Sequence, residues 1–425
     1  PLYDFTVVPS LYSKYCDFLT TEELWCLGRR FQKGSLFHLH VGLAATSNCI
    51  SRLFENSSRL YKYEEQGEIF YIASSLNHSI VFRYGSSKFV EENKSKDSSS
   101  PLDICNNLYV PKQTIHFGRL EHDRFIQVFS DGWRIGKFSC GTCFNVLKSS
   151  FRITLASSLD SFVALTYEKS VGNKLMVDIQ CFKIDAENNT SPIILSLPNN
   201  IYGQPSMLEF VCFNSKIILF IGLTNGELIS LCWNESTVGF SILDRLDLNT
   251  KPGICITPVI PYSLNTINKK MILITTIDGQ CLVLEVDVHL KNVAIVSRLK
   301  LGHGPVNITR INKQKFILAC GSLWKVDYGQ CCYPTEIVEH GWSRRCYRDC
   351  VPIPQNSERM CEDFIEKAEM FLVLGRNGLN ELFLSDFKSV QAEKIPLGVT
   401  AIKLEYYKHM RIFIVIHTAT NSMKD

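Results

Sequence analysis

Apolar runs of strand length meet tight turns along most of this chain. Residues 271–277 run into Asp278-Gly279 and continue through 280–287. The same unit recurs at 217–223 with Asn225-Gly226, at 371–374 with Asn377-Gly378, and at 125–129 with Asp131-Gly132. Asn-Gly and Asp-Gly supply the positive φ that a two-residue hairpin turn requires, so each unit predicts a β-hairpin. Weaker versions sit at Asn77-His78, Gly172-Asn173 and Cys320-Gly321. The turn centres fall at residues 77, 132, 172, 226, 279, 321 and 378, separated by 55, 40, 54, 53, 42 and 57 residues. A repeat of ~40–50 residues holding several short strands predicts a propeller. The expected fold is therefore all-β: a seven-bladed β-propeller of four-stranded antiparallel blades. Near-continuous apolar strands suit sheets covered on both faces. An eighth hairpin, 25–29 followed by 34–40, precedes the repeats.

No segment shows a sustained helical stripe; residues 360–368 have room for a turn or two. The stretch 86–104 is rich in Ser, Lys and Glu and reads as a disordered loop. Residues 330–358 carry Pro334, Pro352 and Pro354 and read as a long loop between blades. The expected organisation is an entry segment over 1–45, the propeller over 46–390, and an exit segment over 391–425.

Composition narrows the function classes. Hydrophobic residues make up 45% and charged residues 20%, enough for a large core. The net charge of +3 creates no global field toward nucleic acid or an anionic membrane. No apolar run reaches the ~18–20 residues of a membrane helix. Residue 1 is a proline with no basic, then apolar, leader behind it, which reads as a piece of a longer chain without a signal peptide in this span. The 17 cysteines are odd in number and many sit in apolar runs, so the thiols are expected reduced, in cytosol or nucleus. The sequons at Asn189 and Asn234 point mildly the other way.

Candidate chemistry is sparse. Cys331, Cys332, His340, Cys346, Cys350 and Cys361 cluster in one stretch and offer thiolate and imidazole ligands for a structural zinc. Their spacing matches no standard finger, and buried or free thiols are the alternative. Cys140 and Cys143 form a Cys-x2-Cys pair without the βαβ context of a redox motif. His38 and His40 share one face of a strand, with no third ligand evident. Trp342, Arg344, Arg345, Tyr347 and Arg348 interleave aromatics with arginines. That mixture grips phosphates and stacks bases, but it also anchors protein interfaces, and a partner surface is the expectation. No Gly-x-Ser-x-Gly, His-Glu-x-x-His or phosphate-binding glycine loop occurs, so no catalytic residue, cofactor or small-molecule substrate is assigned.

Several segments resemble one family of large propeller proteins. Leu301-Gly302-His303-Gly304-Pro305-Val306 and the strand after it are similar to that family's Leu-Gly-x-x-Pro-Val segment. Gln127-Val128-Phe129-Ser130-Asp131-Gly132-Trp133-Arg134 resembles its Gln-Val-x-x-Asp-Gly-Ile-Arg strand pair, and residues 221–228 resemble a third blade. Residues 1–8 and 34–42 resemble the passage from a first propeller into a second. The family is that of the triple-propeller scaffolds: the large damaged-DNA-binding subunit, the large cleavage-and-polyadenylation subunit and the splicing-factor propeller subunit. The resemblance implies the middle propeller of a divergent, fungal-type cullin-adaptor member. It implies a non-enzymatic, nuclear (also cytoplasmic) scaffold of a cullin-RING ubiquitin ligase in DNA repair or heterochromatin silencing. Its partners would be the cullin, other subunits and, through the wider complex, nucleic acid. The alternative it implies is a scaffold for pre-mRNA 3′-end processing or splicing. The stretch 333–360 has no counterpart in the family.

Overall fold

The computed structural model describes residues 2–9, 22–28 and 34–418 apart from short intervals, the longest being 85–101, 105–111, 137–142, 198–202, 260–268, 340–346 and 354–368. Among the described residues there is no α-helix, only a 3-10 turn at Arg52–Phe54. The fold is all-β and propeller-like.

Strands recur in antiparallel groups of four, paired in chain order. The first group is Ser57–Glu65, Glu68–Ser75, Ser79–Tyr84 and Leu102–Ile104. The second is His116–Leu120, Arg124–Phe129, Gly132–Gly136 and Cys143–Lys148. The third is Arg152–Leu159, Phe162–Val171, Lys174–Ile184 and Thr190–Leu195. The fourth is Pro205–Phe213, Lys216–Leu223, Glu227–Asn234 and Gly239–Asp247. Two more groups start at Pro252–Val259 and at Asn307–Arg310 and end with Asn292–Lys300 and Cys331–Glu339.

The last group is completed from the other end of the chain. Asp349–Pro352, Glu369–Gly375 and the first half of Gly378–Pro396 take their fourth strand from Ser35–Ser51, in register from Ala45↔Leu384 to Ser51↔Leu379. A strand that precedes the first group thus finishes the last one.

The cores lie between neighbouring groups. Tyr63, Ile72, Phe117 and Phe125 fill the space between the first and second. Ile126, Ile135, Val163 and Leu165 do so between the second and third. Equivalent clusters follow between each later pair. One more closes the circle: Phe54, Tyr71 and Phe82 pack on Leu372, Leu374 and Leu379 of the last group. Each sheet is therefore covered on both faces, which is why all six residues of Arg124–Phe129 are buried.

Outside this ring, the outer halves of the two long strands pair with each other from Ser35↔Pro396 to Leu43↔Lys388. Glu22–Gly28 and then Leu2–Pro9 extend that sheet. The hairpin of Thr400–Tyr407 and Ile412–Thr418 packs on it through Leu27, Leu36, Ala401 and Leu404. The Leu404 N–H donates to the Asp4 carboxylate at 2.9 Å. Segments 1–45 and 391–425, expected in two different propellers, meet in one small core. The expected boundary at residue 45 falls inside a continuous 17-residue strand.

Two further expectations are revised. The stretch 330–358 is not simply a loop, because Cys331–Glu339 and Asp349–Pro352 are strands. Of the expected disordered loop 86–104, residues 102–104 pair with Ser79–Tyr84, and the remainder lies outside the described residues, as does 360–368.

The hairpins occur where the turns predict them, but not with two-residue turns throughout. Gly226 and Gly279 take positive φ (92° and 86°), whereas Asn225 and Asp278 do not. The Gly226 N–H donates to Leu223 O at 3.1 Å, and that of Gly279 to Thr276 O at 3.2 Å. These are three-residue loops in which an ordinary turn is followed by a left-handed glycine. The Asn225 carboxamide instead accepts from the Glu227 N–H at 3.1 Å, a local cap that does not need positive φ.

Candidate functional site

The first strands of four groups, the first, second, sixth and last, border a cavity of about 450 Å³ lined by Arg59–Lys62, Phe117, Asn307–Ile311 and Asp349–Pro352. Arg59 on Ser57–Glu65 acts electrostatically on His116 of the second group, Glu209 of the fourth and Asp349 of the last. One guanidinium thus acts on groups from three other sheets.

Each of these groups has a displaced pKa. Removal from water pushes Glu209 up to about 8, against the pull of Arg59 and a hydrogen bond from Ser157. Removal from water also pushes Asp349 up to about 6, opposed by Arg59 and by the N–H groups of Leu60 and Cys350. His116 is driven down to about 4 by desolvation and then by Arg59. Its Nε2 lies 2.9 Å from Ser158 Oγ. Glu209 and His116 are half-buried. At neutral pH the neutral forms of both are favoured, and Arg59 has Asp349 as its ionised carboxylate partner.

Asp349 also ties the ring shut. Its Oδ2 accepts from the Leu60 N–H at 2.9 Å, and Oδ1 accepts from the Cys350 N–H at 3.0 Å. Beside it, Arg348 donates to the carbonyls of Glu55 and Ser57 at 2.6 and 3.0 Å. Both residues cross from the last group to the first. Replacing Arg348 with methionine is expected to lower unfolding stability by about 1–2 kcal/mol, since charge-assisted bonds to carbonyls are lost from a partly exposed seam. A denaturant midpoint equal to that of the parent would contradict this role.

The expected partner residues separate. Tyr347 is buried, 7% exposed, within the core of the last two groups. Its backbone bridges to Gly321. Burial takes its ring away from any partner surface. The Arg348 guanidinium is committed to the seam. Trp342, Arg344 and Arg345 lie outside the described residues.

The expected zinc ligands are likewise not brought together where they are described. Cys331 and Cys332 begin the fourth strand of the sixth group, with Cys331 opposite Asp327. Cys350 lies on another strand opposite Val373. Cys350 is 1% exposed, and burial, then the neighbouring Asp349, raises its thiol far above the ordinary value. Such a sulfur resists becoming the thiolate a metal needs. Among the described residues no group of three or more His, Cys, Asp or Glu is placed to hold a metal ion. His340, Cys346 and Cys361 lie outside them, and so do Cys140 and the side chains of Cys143, His38 and His40. Cys181 and Cys281, both buried and unpaired, have thiols pushed up to about 12 by desolvation, as expected of small core hydrophobes.

Sequence reading missed Arg59, His116, Glu209 and Asp349. The available signal was a charged residue inside a strand otherwise due to be covered on both faces. Nothing in the sequence pairs residues 59, 116, 209 and 349, which lie on four different sheets.

No known protein family and no curated protein matches this sequence. The fold does match solved structures. Among them is the crystal structure of Saccharomyces cerevisiae Sqt1, with a TM-score of 0.51 and 10% identity, covering 81% of this chain and 98% of that one. At that identity the likeness concerns the fold alone.

Proposed function

We propose that this chain forms a seven-bladed β-propeller and works as a scaffold without catalytic chemistry. The reading is supported by four-stranded groups that follow one another in order, a core between each neighbouring pair, and a last group finished by the strand Ser35–Ser51. Such a closure locks the two ends of the repeat array together and leaves no open sheet edge at the join. The single observation that carries the scaffold reading is the paired exit of Ser35–Ser51 and Gly378–Pro396. Both strands leave the ring side by side and enter a second β unit. The disc is thereby held on a two-stranded stem, which supports the scaffold reading.

We further propose, on the sequence resemblance, that this scaffold is a nuclear adaptor of a cullin-RING ubiquitin ligase in DNA repair or chromatin silencing, with the disc docking the cullin. Affinity purification of the tagged full-length protein, followed by mass spectrometry, tests it. Recovery of a cullin with its RING subunit and a substrate receptor is the expected result. Polyadenylation or splicing subunits without a cullin would overturn the adaptor reading and leave an RNA-processing scaffold.

A further inference from the structure

The hairpin of Thr400–Tyr407 and Ile412–Thr418 has one guarded edge and one open edge. On the guarded side, Leu2–Pro9 and Glu22–Gly28 lie against Thr400–Tyr407, and the Leu404 N–H donates to Asp4 Oδ2 at 2.9 Å. On the other side, among the described residues, Ile412–Thr418 pairs with Thr400–Tyr407 and with no further strand. Edge strands are ordinarily shielded by charges, prolines, bulges or a covering segment. Residues 412–416 read Ile-Phe-Ile-Val-Ile, without charge, proline or glycine. The register shift of this hairpin falls at Ala401/Lys403, on the guarded strand.

Both side chains and backbone alternate along the open strand. Phe413 and Val415 turn inward onto the core of Leu27, Leu36 and Leu404, where the Phe413 ring lies 4.6 Å from that of Trp25. Ile412, Ile414 and Ile416 turn outward, each 44–50% exposed. The Leu404 N–H is given to Asp4, so Leu404 and its partner Val415 form a pair whose backbone groups point away from each other. The same holds two residues along, at Tyr406 and Phe413. The N–H and C=O groups of Phe413 and Val415 therefore face the open edge.

This edge is complementary to itself. An antiparallel twofold through Ile414 sets Phe413 of each copy opposite Val415 of the other, and these edge-facing residues exchange N–H···O bonds in the ordinary antiparallel pattern. Ile414 then meets Ile414, and Ile412 meets Ile416, so the whole apolar run pairs with itself and the exposed isoleucines form one continuous row. A slip of one residue would set outward side chains against inward ones. The guarded edges become the outer edges of the joint sheet, so assembly stops at two copies.

We propose that the open edge of Ile412–Thr418 receives a second copy of this chain, strand to antiparallel strand, forming a twofold dimer around a four-stranded sheet. This surface goes beyond the scaffold reading and does not depend on it.

Sedimentation velocity of the 425-residue chain over roughly 1–100 μM, the range in which a small interface dissociates, tests it. A concentration-dependent monomer–dimer equilibrium is the expected result. Ile414→Lys would place two ammonium groups against each other at the axis, and is expected to weaken dimerisation roughly tenfold or more while keeping the parent's melting temperature. Ile416→Lys carries the same test should Ile414→Lys fail to fold. Ile402→Lys is the control, because Ile402 is as exposed but lies on the guarded strand; this variant should dimerise like the parent. A monomer at every concentration, assemblies larger than two, an undiminished dimer in folded Ile414→Lys or Ile416→Lys, or an equal loss in Ile402→Lys would each overturn the proposal.

Discussion

Gly378→Ala is expected to be among the most damaging single-methyl additions in this protein, lowering unfolding stability by about 3 kcal/mol. Two separate penalties act there. Gly378 has φ +105°, a region that side chains with a β-carbon rarely enter. A β-carbon would also lie 2.3 Å from Ser51 O and 2.9 Å from the Arg52 α-carbon. Both are backbone atoms at the end of the closing strand, so neither can swing aside like a side chain. The methyl group would push Ser35–Ser51 away from the last sheet, where Ser51 pairs with Leu379, and would disturb Phe54 just beyond. Gly321→Ala is the control. Gly321 has φ +88° but nothing within 4 Å of its β-carbon position, so it should carry only the backbone penalty, about 1–2 kcal/mol. Urea unfolding of the two variants measures the difference. Equal losses would mean that the close approach at Ser51 does not matter and that backbone conformation explains both.

Glu209→Gln should change the pH dependence of stability, with its effect confined to one side of neutrality. Glu209 is raised in the folded state from 4.5 to about 8. The folded protein therefore holds a proton that the unfolded chain releases, and Glu209 makes stability fall as pH rises from the unfolded to the folded value. Below about pH 4.5 the residue is neutral in both states and has no such effect. Above about pH 8 the charge must be carried in a desolvated setting, and the glutamine variant should be more stable than the parent by on the order of 2 kcal/mol. Asp349, raised to about 6, contributes in the same direction between its own two values. His116, depressed to about 4, contributes oppositely, favouring the folded state above its unfolded value and withdrawing that contribution as pH falls toward 4. Both remain in the variant, so the difference between the two proteins isolates Glu209. Melting temperatures at pH 5, 7 and 9 check this: near-coincidence at pH 5 and a widening gap by pH 9 are expected. A constant gap at all three values would show that lost packing, not charge, governs the site.

The ring's outline was legible because its signals are local. Asn225-Gly226, Asp278-Gly279 and Asn377-Gly378 each mark a place where the chain must reverse, and strands meet there in the structure. A glycine's tolerance of positive φ belongs to that residue alone. The exact form of the loops was less legible. Asn225 caps the Glu227 N–H with its side chain and does not take positive φ itself.

The site was not legible, for a different reason. A buried Lys325 finds Glu369 at 2.9 Å only because the sixth and last groups lie side by side. Ser79, Thr114 and Gln127 form a buried hydrogen-bonded joint between the first two groups, with Thr114 Oγ1 2.6 Å from Ser79 Oγ and 2.7 Å from Gln127 Nε2. In the sequence these are ordinary polar residues in or next to strands. Tyr347 and Arg348 read as an exposed aromatic–arginine surface, yet one is buried and the other bridges the seam.

By itself, then, the sequence determined the repeated strand–turn–strand units, their period and the two-sided burial of their strands, since backbone conformation and hydrophobic pattern act over a few residues. Only the tertiary structure decided that Ser35–Ser51 completes the last group, that residues 1–45 and 391–425 share a core, and that Arg59 acts on His116, Glu209 and Asp349 from three other sheets. Those outcomes depend on which distant strands become neighbours when the ring closes, and that closure is stabilised by the sum of all the inter-sheet cores and not by any one segment.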